Sequence, residues 1–295
     1  MKVVVFGGSG FVGSHVADEL TERGHEVIIY DLRQSPYLKK GQEMIIGDIL
    51  DKNKVFRAVE GCDAVYNFAG IADLDTATTQ PIDTINQNIL GNAIILDASV
   101  KAGAKRFVYA STIYVYSSLG GFYKCSKQAA ELYIEEYQKR YGLDFTILRY
   151  GTLYGPRADE RNSMYRYLKE ALINGKITCY GTGEEVREYI HVKDAAKLSV
   201  DVLSDEFKNQ HVVISGHHPI KFKEMLNTIK EMLDNKIEIE FKLPEEYPRY
   251  SAHYTITPYS FVPKIGQKLV SNYYMDLGQG LLECLEEIRK ETKSG

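Results

Sequence analysis

The 295-residue chain has no tryptophan, four cysteines, eight prolines and no long apolar run. Each shortage excludes something. Cys62, Cys125, Cys179 and Cys284 lie far apart without a C-x-x-C pair, so neither a zinc site nor a dense disulfide framework is readable. A reducing cytoplasm suits such a chain. Eight prolines beside 24 glycines argue against collagen-like or low-complexity sequence. The opening MKVVVFGGSGF reaches its paired glycines too early for a signal peptide, and no stretch approaches the roughly 18 apolar residues of a membrane span. The expectation is a soluble, cytoplasmic protein. Charge of one sign is lacking too: 36 Lys and Arg face 40 Asp and Glu, a net charge of −4 that offers no grip on nucleic acid or anionic lipid. What remains, 44% hydrophobic and 26% charged residues, is ordinary globular composition in a length suited to one large or two closely joined domains.

Up to about residue 150, short apolar runs (3–6, 26–31, 43–48, 64–70, 106–111 and 144–150) alternate with segments of helical period. Strands buried on both faces and separated by helices make a parallel sheet, so the fold class is α/β, doubly wound. Helices are expected at 10–23, 55–59, 82–101, 124–141, 164–174 and 222–234. After GTLYGPR (151–157) the alternation is lost. The division that follows is a nucleotide-binding domain over 1–156, to which 188–216 returns, and a smaller α+β lobe over 157–295.

The first strand runs into Gly7-Gly8-Ser9-Gly10-Phe11-Val12-Gly13 and then a helix. Glycines in this G-x-x-G-x-x-G spacing allow a tight turn whose backbone N–H groups approach a pyrophosphate at a helix N-terminus. A glycine triplet alone is a weak signal. Asp31, 18 residues beyond Gly13 at the end of the second strand, strengthens it, because a carboxylate there accepts from a ribose and repels a 2′-phosphate. NAD is favoured over NADP, with Arg33 as the opposing hint. Asp48-Ile49 follows the third strand, where Asp48 either contacts adenine or caps the helix near Lys52.

Tyr123 and Lys127 are four apart near the start of a helix and so share a face. A free phenol, with a pKa of about 10, is a poor base at neutral pH, but a nearby ammonium and a positive nicotinamide would favour phenolate. Tyr123 then becomes a candidate general base. Ser111 and Thr112 follow a later strand, at the sheet edge where open α/β folds bind ligands.

These residues, with GDI (47–49), NFAG (67–70), NILGN around Asn88, ASTIYVYS (110–117), YKCSK (123–127), LRYGTLYGP (148–156) and GTGEEVREYIHVKDAA (181–196), resemble the extended short-chain dehydrogenase/reductase superfamily, in particular its sugar-nucleotide epimerases and dehydratases. The resemblance runs from Met1 to about Ala196. It implies a Rossmann sheet with a substrate lobe, NAD as cofactor and a nucleotide-diphosphate sugar as substrate. Thr112, Tyr123 and Lys127 take the catalytic roles. Thr112 would hydrogen-bond the reacting sugar hydroxyl, with Ser111 as helper or structural neighbour. Lys127 would also bind the nicotinamide ribose. Gly7, Gly10, Phe11, Val12, Gly13, Asp31, Leu32, Arg33, Asp48, Ile49, Phe68, Ala69, Gly70, Ala110 and Tyr150 fall at cofactor positions, and Asn88 would order the backbone below the site. Arg187 matches an arginine that clasps the diphosphate, suited to a planar fork of donors. Thr152 stands where many epimerases place Asn, and Arg249 is either a second diphosphate arginine or a solvated surface residue.

Departures from the pattern narrow the reaction. Dehydratases carry an Asp-Glu pair after the catalytic Thr, and decarboxylases keep a Glu nearby; here the positions are Ile113 and Tyr114. Oxidation and reduction at the sugar C4 remain, with 4-epimerisation leading and net dehydrogenation or ketoreduction, a heptose included among the substrates, as the alternative. A non-catalytic NAD-binding regulator is the reading from another class. Only SSLGGF separates Tyr116 from Tyr123, a short segment that predicts a more open sugar pocket. His191 reads as a packed, loop-ordering residue, the adjacent His217 and His218 as no metal pair, and Cys125 as packed on the sheet. Apolar stripes on 82–101 and 124–141 suggest a homodimer through a four-helix bundle.

Overall fold

The computed structural model describes residues 1–242, 255–258, 267–269 and 273–294. The first six strands are β1 (Lys2–Phe6), β2 (Glu26–Asp31), β3 (Gln42–Ile46), β4 (Ala64–Asn67), β5 (Arg106–Thr112) and β6 (Asp144–Tyr150). After them come β7 (Thr152–Tyr154), β8 (Lys176–Tyr180), β9 (Val186–His191), β10 (Gln210–Ile214), β11 (Pro219–Lys221), β12 (Glu238–Lys242) and β13 (Gln267–Leu269). Eight strands form one parallel sheet in the order β13-β10-β6-β5-β4-β1-β2-β3. The order reverses between β1 and β4, which opens a crevice at their carboxyl ends.

Period-two alternation explains why helices cover both faces. Val4 and Phe6 pack with α2 (Lys52–Val59), α5 (Asn92–Ala102) and α6 (Gly121–Tyr141), while Val3 and Val5 face α1 (Phe11–Glu22) and α8 (Val192–Asp201). Each large apolar side chain buried this way contributes about 1.5–3 kcal/mol. A third core joins α7 (Ser163–Asn174), α9 (Phe222–Met232) and α10 (Leu277–Ser294) through Leu168, Ile229 and Leu281. Beside it lie a three-stranded sheet, β11-β9-β7, and a β12-β8 pair.

The helix expected over 82–101 is interrupted. α3 (Leu74–Thr79) and α4 (Pro81–Ile85) lead into a π-helical turn at Asn86–Gly91, and α5 begins only at Asn92. The wide turn buries Asn88, whose amide holds the loop after β4: Nδ2 donates to the Ile71 carbonyl (2.9 Å) and Oδ1 accepts from the Ile71 N–H (2.7 Å). Helices α3, α8 and α10 were not anticipated from the sequence pattern, although Leu281, Leu285 and Ile288 in α10 have helical spacing.

Candidate active site

Three strand ends build the cofactor cradle. After β1, Gly7 turns at φ +75° and donates to the Tyr30 carbonyl (2.8 Å), and Gly10 donates back to Gly7 (3.1 Å). A Cβ on Gly7 would lie 2.6 Å from the Ala69 nitrogen, and one on Gly13 only 2.3 Å from the Gly7 oxygen. Helix α1 starts with Phe11-Val12 and carries no side-chain cap on its first turn. Asp31, at the end of β2, is tied to this turn: its carboxylate accepts from the Ser9 N–H (3.0 Å) and the Arg33 N–H (3.4 Å). Leu32 and Arg33 are exposed beside it. After β4, Phe68 donates to the Phe6 carbonyl (2.8 Å), which brings Phe68-Ala69-Gly70 alongside the glycine turn. Asp48 holds the Leu50 N–H (2.9 Å), and Asp51 caps α2 instead, so the alternative that Asp48 caps this helix fails. Ile49 is buried in the core.

The second cluster stands at the end of β5. Helix α6 begins at Gly121, so Tyr123 lies in its first turn and Lys127 one turn on. The Thr112 hydroxyl stands close enough to the Tyr123 phenol to favour its ionised form. Lys127 Nζ donates to the Ala110 carbonyl (2.7 Å) and lies 4.7 Å and 5.8 Å from the ring centres of Tyr109 and Tyr123. Burial pushes Tyr123 up to about 12, against the opposing pull of the Thr112 hydroxyl. Burial also brings Lys127 down to about 8, opposed by the Glu131 carboxylate. The lowering of the phenol expected from Lys127 does not appear: desolvation dominates, and the opposing pull comes from Thr112.

Beneath this pair lies a buried ion pair that sequence reasoning missed. Ser111 and Arg149 are register partners on β5 and β6, and both converge on Glu131, one turn beyond Lys127. Ser111 Oγ donates to Glu131 Oε1 (2.5 Å), while Arg149 donates through Nε (3.1 Å) and Nη2 (2.7 Å). Arg149 Nη1 reaches the Tyr116 hydroxyl (2.6 Å). Asn88 Nδ2 also donates to Ser126 Oγ (2.9 Å), linking α6 to the loop after β4. The available signals were Glu131 four residues after Lys127 and a charge inside the apolar run DFTILRY.

The remaining assignments scatter. The Tyr150 hydroxyl is turned into the core, 2.6 Å from Ser199 Oγ. Thr152 on β7 pairs in register with Tyr189 on β9, two residues from Arg187, so both stand in the three-stranded sheet that begins just past the end of β6. Arg249 lies outside the described residues. His191 is buried and caps α8 by accepting from the Lys193 N–H (3.4 Å). Cys125 is exposed, contrary to the packing expected on the sheet, because it points away from the face shared by Tyr123 and Lys127.

Residues 3–215 match the NAD dependent epimerase/dehydratase family. The chain belongs to that family. It is thus an NAD-dependent enzyme of the short-chain dehydrogenase/reductase type, and its fellow members include sugar-nucleotide epimerases, decarboxylases and dehydratases. A putative UDP-glucose 4-epimerase of Methanocaldococcus jannaschii is 28% identical over 99% of this chain and 100% of its own. A UDP-N-acetyl-alpha-D-glucosaminuronate decarboxylase of Bacillus cytotoxicus is also 28% identical, over 81% and 82% respectively. The Thermus thermophilus UDP-glucose 4-epimerase solved with NAD superposes with a TM-score of 0.81 at 25% identity, covering 98% of this chain and 99% of that one. The epimerase/dehydratase cofactor fits the residues present: the glycine turn admits no Cβ, the start of α1 is uncapped, and a carboxylate stands at the end of β2. Among the described residues, no helix is long and apolar enough to cross a membrane.

Proposed function

We propose that this enzyme is a 4-epimerase of a nucleotide-diphosphate sugar. The observation that carries the reading is the grouping of Tyr123 with Thr112 and Lys127, with no carboxylate at the two positions after Thr112. Ile113 is buried and Tyr114 is an aromatic wall, so neither supplies the acid or base that dehydration or decarboxylation needs. In the proposed reaction Thr112 orients the C4 hydroxyl and Tyr123 takes its proton, directly or through Thr112. Tyr123 later returns the proton to the C4 oxygen on the inverted carbon. When bound, NAD supplies the hydride acceptor and, in its oxidised form, a positive ring charge that favours the phenolate. Gly7, Gly10, Gly13, Asp31 and Phe68–Gly70 would hold it, and Lys127 would hold its ribose while keeping positive charge beside Tyr123.

Arg187 and Thr152, on adjacent strands of the three-stranded sheet that begins just past the end of β6, are the proposed diphosphate and sugar contacts, with Arg249 as a second cation. A homodimer through α5 and α6 is supported by the exposed Leu90, Leu132 and Tyr133 on or beside these helices. The test is product analysis with UDP-glucose and UDP-galactose while nicotinamide absorbance is followed. Inversion at C4 without net redox change is expected. Stoichiometric NADH with a released ketone would instead make the enzyme a 4-dehydrogenase, and bound NAD without interaction with nucleotide sugars would make it a regulator.

A further inference from the structure

The connection between Thr112 and α6 is short, yet it is firmly tied. Thr112 is followed by a 3-10 turn, Ile113–Tyr116, that buries Ile113 and leaves Tyr114 half-buried. The Ser117 N–H donates to the Tyr114 carbonyl (2.9 Å), and the Leu119 N–H donates to Ser117 Oγ (3.0 Å). From α6, Lys124 Nζ donates to the Ser118 carbonyl (3.2 Å) and Gln128 Nε2 to the Val115 carbonyl (3.0 Å). The first two bonds hold the segment's own turns, and the last two pin it to the helix that carries Tyr123.

The ring of Tyr114 fills the corner so formed. Its centre is 6.3 Å from that of Tyr123, at an interplanar angle of 77°, the edge-to-face arrangement that aromatic pairs favour. On its other side the chain passes at Gly120, with φ +100°, where a Cβ would come within 2.9 Å of Tyr114 Cδ1. Glycine at 120 is what lets the turn close over the ring. The Tyr114 N–H also donates to Thr112 Oγ1 (3.3 Å), so the backbone carrying the ring is bonded to one of the two hydroxyls of the reacting pair.

We propose that Tyr114 is a specificity-determining residue: a fixed aromatic wall beside Tyr123 that limits the bulk a sugar can carry next to its reacting carbon and presents no charge to a carboxylate there. The proposal rests on the nucleotide-sugar reading of the site and deepens it, because it assigns the site to neutral sugars of modest size. A pocket left open by a short connection would favour larger sugars; a ring pinned in that space opposes them. The ring, rather than its hydroxyl, does the excluding.

The experiment compares kcat/KM of the NAD-loaded protein with UDP-xylose, UDP-glucose, UDP-glucuronic acid and UDP-N-acetylglucosamine, for the unaltered chain and for Tyr114→Phe, Tyr114→Leu and Tyr114→Ala. Removing the ring should raise the ratio of a larger to a smaller substrate by about tenfold or more, the scale on which a hydrophobic pocket discriminates small changes of bulk. Tyr114→Phe should keep the original ratios and Tyr114→Leu should fall between. Because Leu retains apolar bulk at a half-buried position, it keeps the test informative if the Ala variant folds poorly. Turnover by the unaltered chain with every ratio within twofold in the Leu and Ala variants would overturn this proposal alone. Neither binding nor turnover of any of the four sugars by the unaltered chain would overturn the nucleotide-sugar reading and this proposal with it.

Discussion

The two halves of the site are built by opposite means. At the ends of β1, β2 and β4 the cradle is shaped by backbone that must come close: Gly13 packs on the Gly7 oxygen, and Gly7 packs on Phe68 and Ala69. At the end of β5 the reacting groups are side chains, placed by other side chains. Ala110 receives Lys127 and Ser111 reaches Glu131, so consecutive residues of β5 are fastened to α6 one turn apart. Thr112 is the next residue, and the same helix delivers Tyr123 to it. The contrast teaches that the first half is sensitive to added atoms, and the second to lost charge and lost hydrogen bonds.

The largest stability effect should come from Glu131→Gln, which leaves the fully buried Arg149 without its carboxylate. Breaking such a pair costs about 3–5 kcal/mol, measurable by denaturant unfolding, whereas an isosteric change at an exposed pair would cost far less. A loss below about 1 kcal/mol would show that the ion pair does not hold the second half together. Next, Gly13→Ala should weaken NAD binding through the clash of its Cβ with the Gly7 oxygen. Overpacking of this kind costs about 1–3 kcal/mol, or roughly ten- to a hundredfold in affinity by fluorescence titration. Affinity equal to that of the unaltered chain would mean that the turn yields, and that the cradle is not fixed by its backbone.

A third prediction is a pH dependence. Burial lowers Lys127 from its ordinary 10.5 to about 8, so keeping its ammonium charged opposes folding below pH 8. Between pH 8 and 10.5 the unfolded chain binds the extra proton, and stability rises with pH on account of this group. Denaturant midpoints of the unaltered chain should therefore gain on those of Lys127→Met across that window. Parallel curves would place Lys127 in a more solvated setting than its hydrogen bond to Ala110 implies.

The same contrast explains what could be read from the sequence. Backbone-built features leave spacing signals: G-x-x-G-x-x-G, Asp31 at the end of an apolar run, and alternation that gave the parallel sheet. Tyr123 and Lys127 were legible because four residues make one helical turn. Their supports were not, since Ser111, Glu131 and Arg149 meet only through the pairing of β5 with β6 and the packing of α6, which no local period records. The break in the helix over 82–101 was hidden for a related reason: the π-helical turn changes the register of Asn88 without interrupting the apolar spacing. Tyr114 was visible as a missing carboxylate, but its place against Gly120 and Tyr123 is a tertiary contact.

The central claim is that Tyr123 moves the proton while the cradle independently holds the cofactor. Rapid mixing of the NAD-loaded chain with UDP-glucose or UDP-galactose, followed at the absorbance of reduced nicotinamide, tests it most directly when repeated with Tyr123→Phe. The account predicts unchanged NAD affinity in the variant and a reaction slower by about 10²–10⁴-fold, the range expected for loss of a general base. Reduction at the same rate in both proteins would contradict it.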